Sequence, residues 1–296
     1  MIMRKINYSF VIPHHNRPEL LNRLLNTIPE REDIQIIVVD DNSDSDKQPT
    51  IQRSDVQLIF IDKEHTKGAG KARNVGMEEA KGEWLLFADS DDIYEKGFVD
   101  ILDKYRCHNI DILCFDMYFH YDLKTQTERW TNTYSNAVKK YLSCKPNQYW
   151  LRMVKHSNGG PTNFMVRLDF VKKIGVKFGE TIVGEDAIFH HITFMNTDRV
   201  EVISDKLYYY LWNEDSLVHN VIPKRTKIEL IENQKYIINL LIKANAYGTI
   251  SPLTRGIGGL YRSYGFVFTI YYKFRQLTCG IPWLKIWWHQ LTDKKV

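Results

Sequence analysis

Trp84-Leu85-Leu86-Phe87-Ala88-Asp89-Ser90-Asp91-Asp92 carries an unbroken apolar run straight into a cluster of carboxylates. A short extended segment that is apolar on both faces is buried on both faces, the habit of strands in parallel sheets covered by helices. The same pattern recurs upstream. Ile34–Val39 reads as a strand opening onto Asp40-Asp41-Asn42-Ser43, and Ile6–Ile12 as one opening onto Pro13-His14-His15-Asn16. Val56–Ile61 reads as a further strand. Between these runs, Arg17–Ile28 places Leu20, Leu21, Leu24, Leu25 and Ile28 at helical spacing, with Asn16 as the expected cap and Pro18 in the first turn. Gly68–Ala80 and Glu95–Tyr105 suit helices as well. The alternation predicts an α/β domain with a mostly parallel, Rossmann-like central sheet and helices on both faces. In such sheets ligands sit at the carboxyl ends of the strands, where the acids lie.

An acidic loop is ordinarily just solvated. Two such loops at neighbouring strand ends repel each other unless a cation or donor groups stand between them, and an Asp-x-Asp pair offers hard oxygens suited to Mg²⁺ or Mn²⁺ on a diphosphate. Gly68-Ala69-Gly70-Lys71-Ala72-Arg73 imitates a nucleotide loop but has Arg73 where a dinucleotide fingerprint needs Gly and Ala72 where a phosphate loop needs Ser or Thr. Lys71 and Arg73 there suit a phosphate, a base or plain solvent. Further on, Ser157-Asn158-Gly159-Gly160-Pro161 marks a turn. Glu185 and Asp186 open an apolar helical pattern, where they serve either a helix N-terminus or general-base chemistry.

Composition narrows the remainder. The 296 residues are 44% hydrophobic and 26% charged, which excludes disorder. The longest apolar-aromatic run, near Gly265–Tyr272, falls far short of the roughly 18 to 20 residues that cross a bilayer. No leader pattern opens the chain, and Cys107, Cys114, Cys144 and Cys279 show no zinc spacing, so reduced thiols and a cytoplasmic setting are expected. Ser251–Val296 holds seven Lys/Arg against one acid, interleaved with ten aromatic residues, while the rest of the chain is slightly acidic. That pattern fits either an anionic membrane surface or an ordinary helical subdomain, and it disfavours nucleic acid.

Taken in order, Phe10–Arg17, Ile37–Ser43, Ala69–Gly76, Trp84–Asp92 and Gly184–Phe189 resemble glycosyltransferase family 2 on a GT-A fold, most closely over Tyr8–Asp100 with a second patch at Asn163–Met195. The resemblance implies an inverting, metal-dependent transferase, hexosyl- or N-acetylhexosaminyl-type, that uses Mn²⁺ or Mg²⁺. It would move sugar from a nucleotide-diphosphate donor, a UDP-sugar, to a glycan or lipid-linked acceptor in capsule, O-antigen or other surface-polysaccharide synthesis. By the same resemblance Pro13 lies under the uracil or ribose, Asp41 accepts from the base, and Asp40 orients that loop. Lys71 and Arg73 stand near the nucleotide, Asp89 meets ribose or metal, and Asp91 coordinates the metal, with Asp92 supporting the loop. Asp186 is the implied base and Glu185 its neighbour at the acceptor.

The adjacent His14 and His15 depart from the family pattern; neighbours on a strand end point to opposite sides, which favours core and rim roles over a shared metal. His219 is a further candidate for phosphate or metal. The expected organisation is a catalytic domain over residues 1–222, with a nucleotide-sugar half at 1–105 and an acceptor half at 106–222, followed by a helical, basic-aromatic region at 223–296. The expected location is cytoplasmic, either free or peripheral on the cytoplasmic face of the inner membrane. Two rival readings remain: a sugar nucleotidyltransferase, which needs a Gly-rich basic signature after the first strand that Pro13–Arg17 lacks, and a non-catalytic nucleotide-sugar or glycan-binding module of a membrane-associated complex.

Overall fold

The computed structural model describes residues 5–65, 68–128, 133–144, 147–179, 184–212, 224–250 and 266–292. Four strands form the parallel part of the sheet: β1 (Tyr8–His14), β2 (Ile34–Asp41), β3 (Val56–Ile61) and β4 (Trp84–Phe87), in the order β3-β2-β1-β4. All seven residues of β1 are buried, as its apolar sequence requires of a strand covered on both sides. Alternate residues feed two cores. Tyr8, Phe10, Ile12, Ile36, Val38, Trp84 and Leu86 pack one face against α1 (Pro18–Leu25) and α3 (Phe98–Tyr105). Val11, Ile37, Val39, Leu85 and Phe87 pack the other against α2 (Ala69–Glu79), α4 (Thr133–Ser143), α5 (Gln148–His156), α6 (Leu168–Ile174) and α7 (Glu185–Met195).

Beyond β4 the sheet changes character. β8 (Phe164–Arg167) lies antiparallel between β4 and β6 (Ile112–Asp122); β6 runs parallel to β9 (Val200–Leu211), and β9 takes the two-residue β5 (Ile93–Tyr94) antiparallel at its edge. The two-residue β7 (Thr127–Glu128) pairs with β6. The parallel pattern therefore describes the first third well and the second third only in part. After it come α8 (Lys224–Lys243), a 3-10 turn at Tyr247–Thr249, α9 (Phe266–Thr278) and α10 (Trp283–Thr292), which hold small apolar clusters of their own. No helix among the described residues is long and apolar enough to cross a membrane.

One local expectation fails. Asn16 does not cap α1: Arg17 occupies the cap position without a side-chain cap bond, and Asn16 sits at φ 57°. Its amide is used elsewhere, its Oδ1 accepting from Asp44 N at 2.8 Å while its own backbone N donates to Ser43 Oγ at 2.8 Å. A short polar side chain that tolerates the left-handed region serves better as a tie between two strand-end loops than as a cap for a helix whose first residue, Pro18, is already stiffened.

Candidate active site

Because β1 lies between β2 and β4 and all three run the same way, their carboxyl ends share one edge of the sheet. Pro13 is buried there in register with Val39, and His14 with Asp40. His14 is a core residue. Its Nδ1 lies 2.7 Å from Asp40 Oδ1, and its Nε2 accepts from Arg17 N at 3.2 Å, so the proton sits on Nδ1 and is donated to Asp40. Ser43 completes the network, with Oγ donating to Asp40 Oδ1 at 2.6 Å and N donating to Oδ2 at 3.0 Å. Asp40 thus holds the loop together from inside. His15 is exposed at the rim. Asp41, at the end of β2, accepts from Gly68 N at 2.9 Å, linking the second strand end to the start of α2.

Arg73 joins the halves of the site. It is 4% exposed on α2, donates to Asp89 Oδ1 at 2.6 Å, and reaches Glu185 Oε1 at 3.5 Å. Its guanidinium also lies 5.3 Å from the centre of the Phe178 ring. Phe178 is placed by α2 itself: Asn74 Nδ2 donates to Phe178 O at 3.1 Å, and Phe178 N donates to Asn74 Oδ1 at 2.8 Å. Gly70 permits this approach, since a side chain there would lie 2.1 Å from Gly179 O. Lys71 stands half-buried in the same first turn of α2.

After β4 the three aspartates have different surroundings. Asp89 faces Arg73, and its backbone N donates to Tyr208 Oη at 2.9 Å. The Asp91 carboxylate pairs with Arg17 Nη1, and its carbonyl oxygen accepts from Arg23 Nη2 at 2.5 Å. Asp92 is buried, accepting from Tyr208 Oη and from Leu211 N, each at 2.8 Å. Burial, reinforced by Asp91 and Asp89, drives the Asp92 carboxyl well above the usual range. Its work is structural, tying the loop to β9.

Glu185 and Asp186 form the first turn of α7. Burial, then repulsion from Asp186, pushes the Glu185 carboxyl up to about 7 against the opposing pull of Arg73. Asp186 is also raised, chiefly by burial, with Arg73 again opposing and Asp89 reinforcing. The electrostatic influence of Asp89 on both groups, and of both on Arg73, places one Asp89–Arg73–Glu185–Asp186 constellation around a single guanidinium. The loop over Asn158–Gly160 closes on its far side: a side chain at Gly160 would reach Asp186 Oδ2 at 3.9 Å and one at Gly159 would meet Ala187 Cβ at 3.3 Å. Buried His190 holds that loop, its Nδ1 lying 2.9 Å from Gly160 O and its Nε2 2.8 Å from Lys155 O.

Asp89 and Asp91 are the residues to test against a divalent cation. No group of three His, Cys, Asp or Glu side chains placed to hold a metal occurs among the described residues. Two hard carboxylates from one loop nonetheless fit an ion that brings its other ligands as diphosphate oxygens and water. His219 lies outside the described residues. Sequence reasoning gave no role to Arg17, Arg23, Asn74 or Tyr208. Arg17 and Asn74 stood inside quoted motifs, but the contacts that join Arg17, Arg23 and Tyr208 to the site span about 70 to 120 residues and leave no local pattern.

A family model described as glycosyl transferase family 2 matches residues 9–175. The chain is 26% identical over 214 residues to poly(ribitol-phosphate) beta-N-acetylglucosaminyltransferase TarS of Staphylococcus aureus strain MW2, a match covering 69% of this chain and 35% of that protein. It is 25% identical over 226 residues to the minor teichoic acid biosynthesis protein GgaB of Bacillus subtilis strain 168, covering 72% and 24% respectively. The chain thus spans about a third or less of the length of these relatives. Among solved structures it resembles S. aureus TarS 1–349 in complex with UDP-GlcNAc, with a TM-score of 0.57, 19% identity and coverage of 92% of this chain and 91% of that one. It also resembles the mannosyltransferase PcManGT from Pyrobaculum calidifontis in complex with GDP-Man and Mn²⁺, with a TM-score of 0.53, 12% identity and coverage of 99% and 89%. At these identities the structural likenesses speak for the fold, which is GT-A.

Proposed function

The chain belongs to glycosyl transferase family 2, and on that premise we propose that it transfers a sugar from a UDP-sugar to a hydroxyl of a cell-surface glycopolymer, with inversion at the anomeric carbon. The observation that carries this reading is Arg73, which fastens Asp89 on the donor side to the Glu185–Asp186 pair. UDP-GlcNAc is bound in one structural neighbour, and the names of the curated relatives point to teichoic-acid-type acceptors.

In this reading Pro13 and Asp41 receive the uridine, Asp41 accepting from the base, while Lys71 and Arg73 flank the nucleotide. Asp89 and Asp91 would hold Mn²⁺ or Mg²⁺, which when bound supplies positive charge to the leaving diphosphate. Asp186 takes the proton from the acceptor hydroxyl as its oxygen bonds to the anomeric carbon and the bond to the diphosphate breaks, leaving UDP. Glu185 lines the acceptor side. A raised carboxyl is a better proton acceptor near neutral pH than an ordinary one, which is why burial of Asp186 helps. Glycosyl transfer shares its oxocarbenium-like transition state with glycoside hydrolysis, but a diphosphate leaving group needs no protonating acid, so one base suffices.

Residues 1–222 form the catalytic domain in this proposal and 223–296 a helical appendage. A cytoplasmic setting is supported by four free thiols. The test is product formation from a panel of UDP-sugars with Mn²⁺ or Mg²⁺. Turnover that needs the ion and disappears in Asp186→Asn while UDP binding persists is expected; UDP-sugar binding with no turnover on any polyol-phosphate or glycan acceptor would favour the binding module instead.

A further inference from the structure

Helix α9 is turned inside out. Its inward positions include Thr269, Tyr272 and Gln276, with Gln276 Nε2 donating to Gln234 Oε1 on α8 at 2.8 Å and Tyr272 Oη to the same atom at 3.3 Å. Its outward positions are Phe266, Val267, Ile270, Tyr271, Phe274 and Leu277, between 46% and 80% exposed. Helix α10 repeats the arrangement: Ile286 is buried, while Leu284, Trp287 and Trp288 are 84%, 59% and 62% exposed. Of the twelve exposed large apolar side chains among the described residues, nine lie on these two helices, so this is one concentrated surface and not ordinary scatter.

Both inner faces rest on the same layer. Gln290 Nε2 donates to Tyr247 O and Ile250 O, each at 2.8 Å, and His289 stacks on Tyr247 at 4.1 Å. Trp283 Nε1 donates to Gln276 O at 3.0 Å, pinning the start of α10 to the end of α9. The two apolar faces therefore look away from one support, the layer formed by α8 and the turn after it.

Charge decides the occupant. The exposed cations of residues 266–292 are Arg275 and Lys285, and the segment has no acid at all. An isologous pairing of two copies would set these cations against one another with no carboxylate on either helix to receive them. Phosphate headgroups supply the missing anion, and the boundary beneath them accepts the rings of Trp287, Trp288 and Phe274. Helices of 13 and 10 residues are about 15 to 20 Å long, suited to lying along a bilayer surface and too short to cross it. We propose that the outward faces of α9 and α10 form a docking surface for an anionic lipid bilayer. The surface is one helix removed from the chemistry, since α8 packs against the N-terminus of α7, where a side chain at Gly184 would lie 3.1 Å from Asn233 Nδ2. Docking there would fix how the cleft faces a membrane-borne acceptor.

The inference does not require the catalytic reading, because vesicle binding is measured without turnover. The full chain is to be sedimented with phosphatidylglycerol–phosphatidylcholine vesicles and, separately, with phosphatidylcholine alone. Binding is expected to the first, weakened by salt. It should fall at least about tenfold in Trp287→Ser/Trp288→Ser and also in Arg275→Glu/Lys285→Glu, with unchanged thermal midpoints because all four side chains point outward. Absence of binding to either vesicle, or equal binding by wild type and both variants, overturns the proposal. So does a self-association in sedimentation velocity that the tryptophan variant abolishes, which would assign the surface to a second copy.

Discussion

The site uses carboxylates in two opposite settings. After β4, Asp89 and Asp91 each face an arginine, Arg73 and Arg17. At the start of α7, Glu185 and Asp186 are crowded by burial and by each other, and both are raised. One functional group therefore stands in two environments, and the proposed division into cation ligand and proton acceptor rests on partners and burial, not on residue type. The contrast predicts a kinetic split, the largest effect expected here. Asp186→Asn should lower kcat by about 10²- to 10⁴-fold with donor binding little changed, the range for losing a general base. Asp91→Asn should instead weaken UDP-sugar binding and remove its dependence on Mn²⁺, measured by calorimetry with and without the ion. Equal losses of kcat in both variants, with metal dependence intact in the second, would dissolve the distinction.

Arg73 is where the two settings meet, and its removal comes next in size. Arg73→Met keeps the stem packed on Phe178 but leaves Asp89, Glu185 and Asp186 without their shared cation. A buried charge left without its partner typically costs about 3 to 5 kcal/mol. Thermal unfolding near neutral pH should show a large fall that narrows at acid pH, where the stranded carboxylates take up protons. A fall independent of pH would mean that the residue acts through packing.

Much of this was legible in advance because a parallel sheet places its strand ends together whatever else the chain does, so Asp41, Asp89 and Asp91 could be assigned to one edge from local pattern alone. Helical periodicity likewise located α1, α2 and α7. What escaped was non-local. Whether Asn16 caps a helix or ties two loops depends on Ser43 and Asp44, and whether Arg17 is solvated depends on Asp91, 74 residues away. β8 falls at the start of the second patch of resemblance, Asn163–Met195, but nothing local marks it as an antiparallel strand inserted between β4 and β6. The aromatic content of the C-terminal helices was plain, whereas the outward orientation of their apolar faces follows only from what α8 offers them.

Glu185→Gln sharpens the comparison with a gain. A carboxyl near 7 in the folded chain against an ordinary value of 4.5 means that, between those values, the folded state holds a proton the unfolded state has lost. Stability from this group is full below about 4.5 and declines as pH rises through about 7. Glutamine keeps the shape without the charge, so the variant should match wild type at pH 4 and exceed it by up to about 3 kcal/mol at pH 8. Denaturant titrations across that range test the sign; a variant less stable at pH 8 would mean that Glu185 is held ionised by Arg73.

Tyr208→Phe probes the donor side at its support. The hydroxyl, fully buried, accepts from Asp89 N and donates to Asp92 Oδ2. Because Asp92 is driven toward its neutral form and keeps the bond from Leu211 N, the loss is close to that of a neutral hydrogen bond plus one unpaired backbone N–H, about 1 to 2 kcal/mol. With Asp89 less firmly placed against Arg73, the donor KM should rise by about two- to fivefold at unchanged kcat, since the Glu185–Asp186 pair is untouched. A fall in kcat as large as the rise in KM would show that the loop after β4 and the N-terminus of α7 move as one body, and the two carboxylate settings would then have to be treated as a single coupled unit.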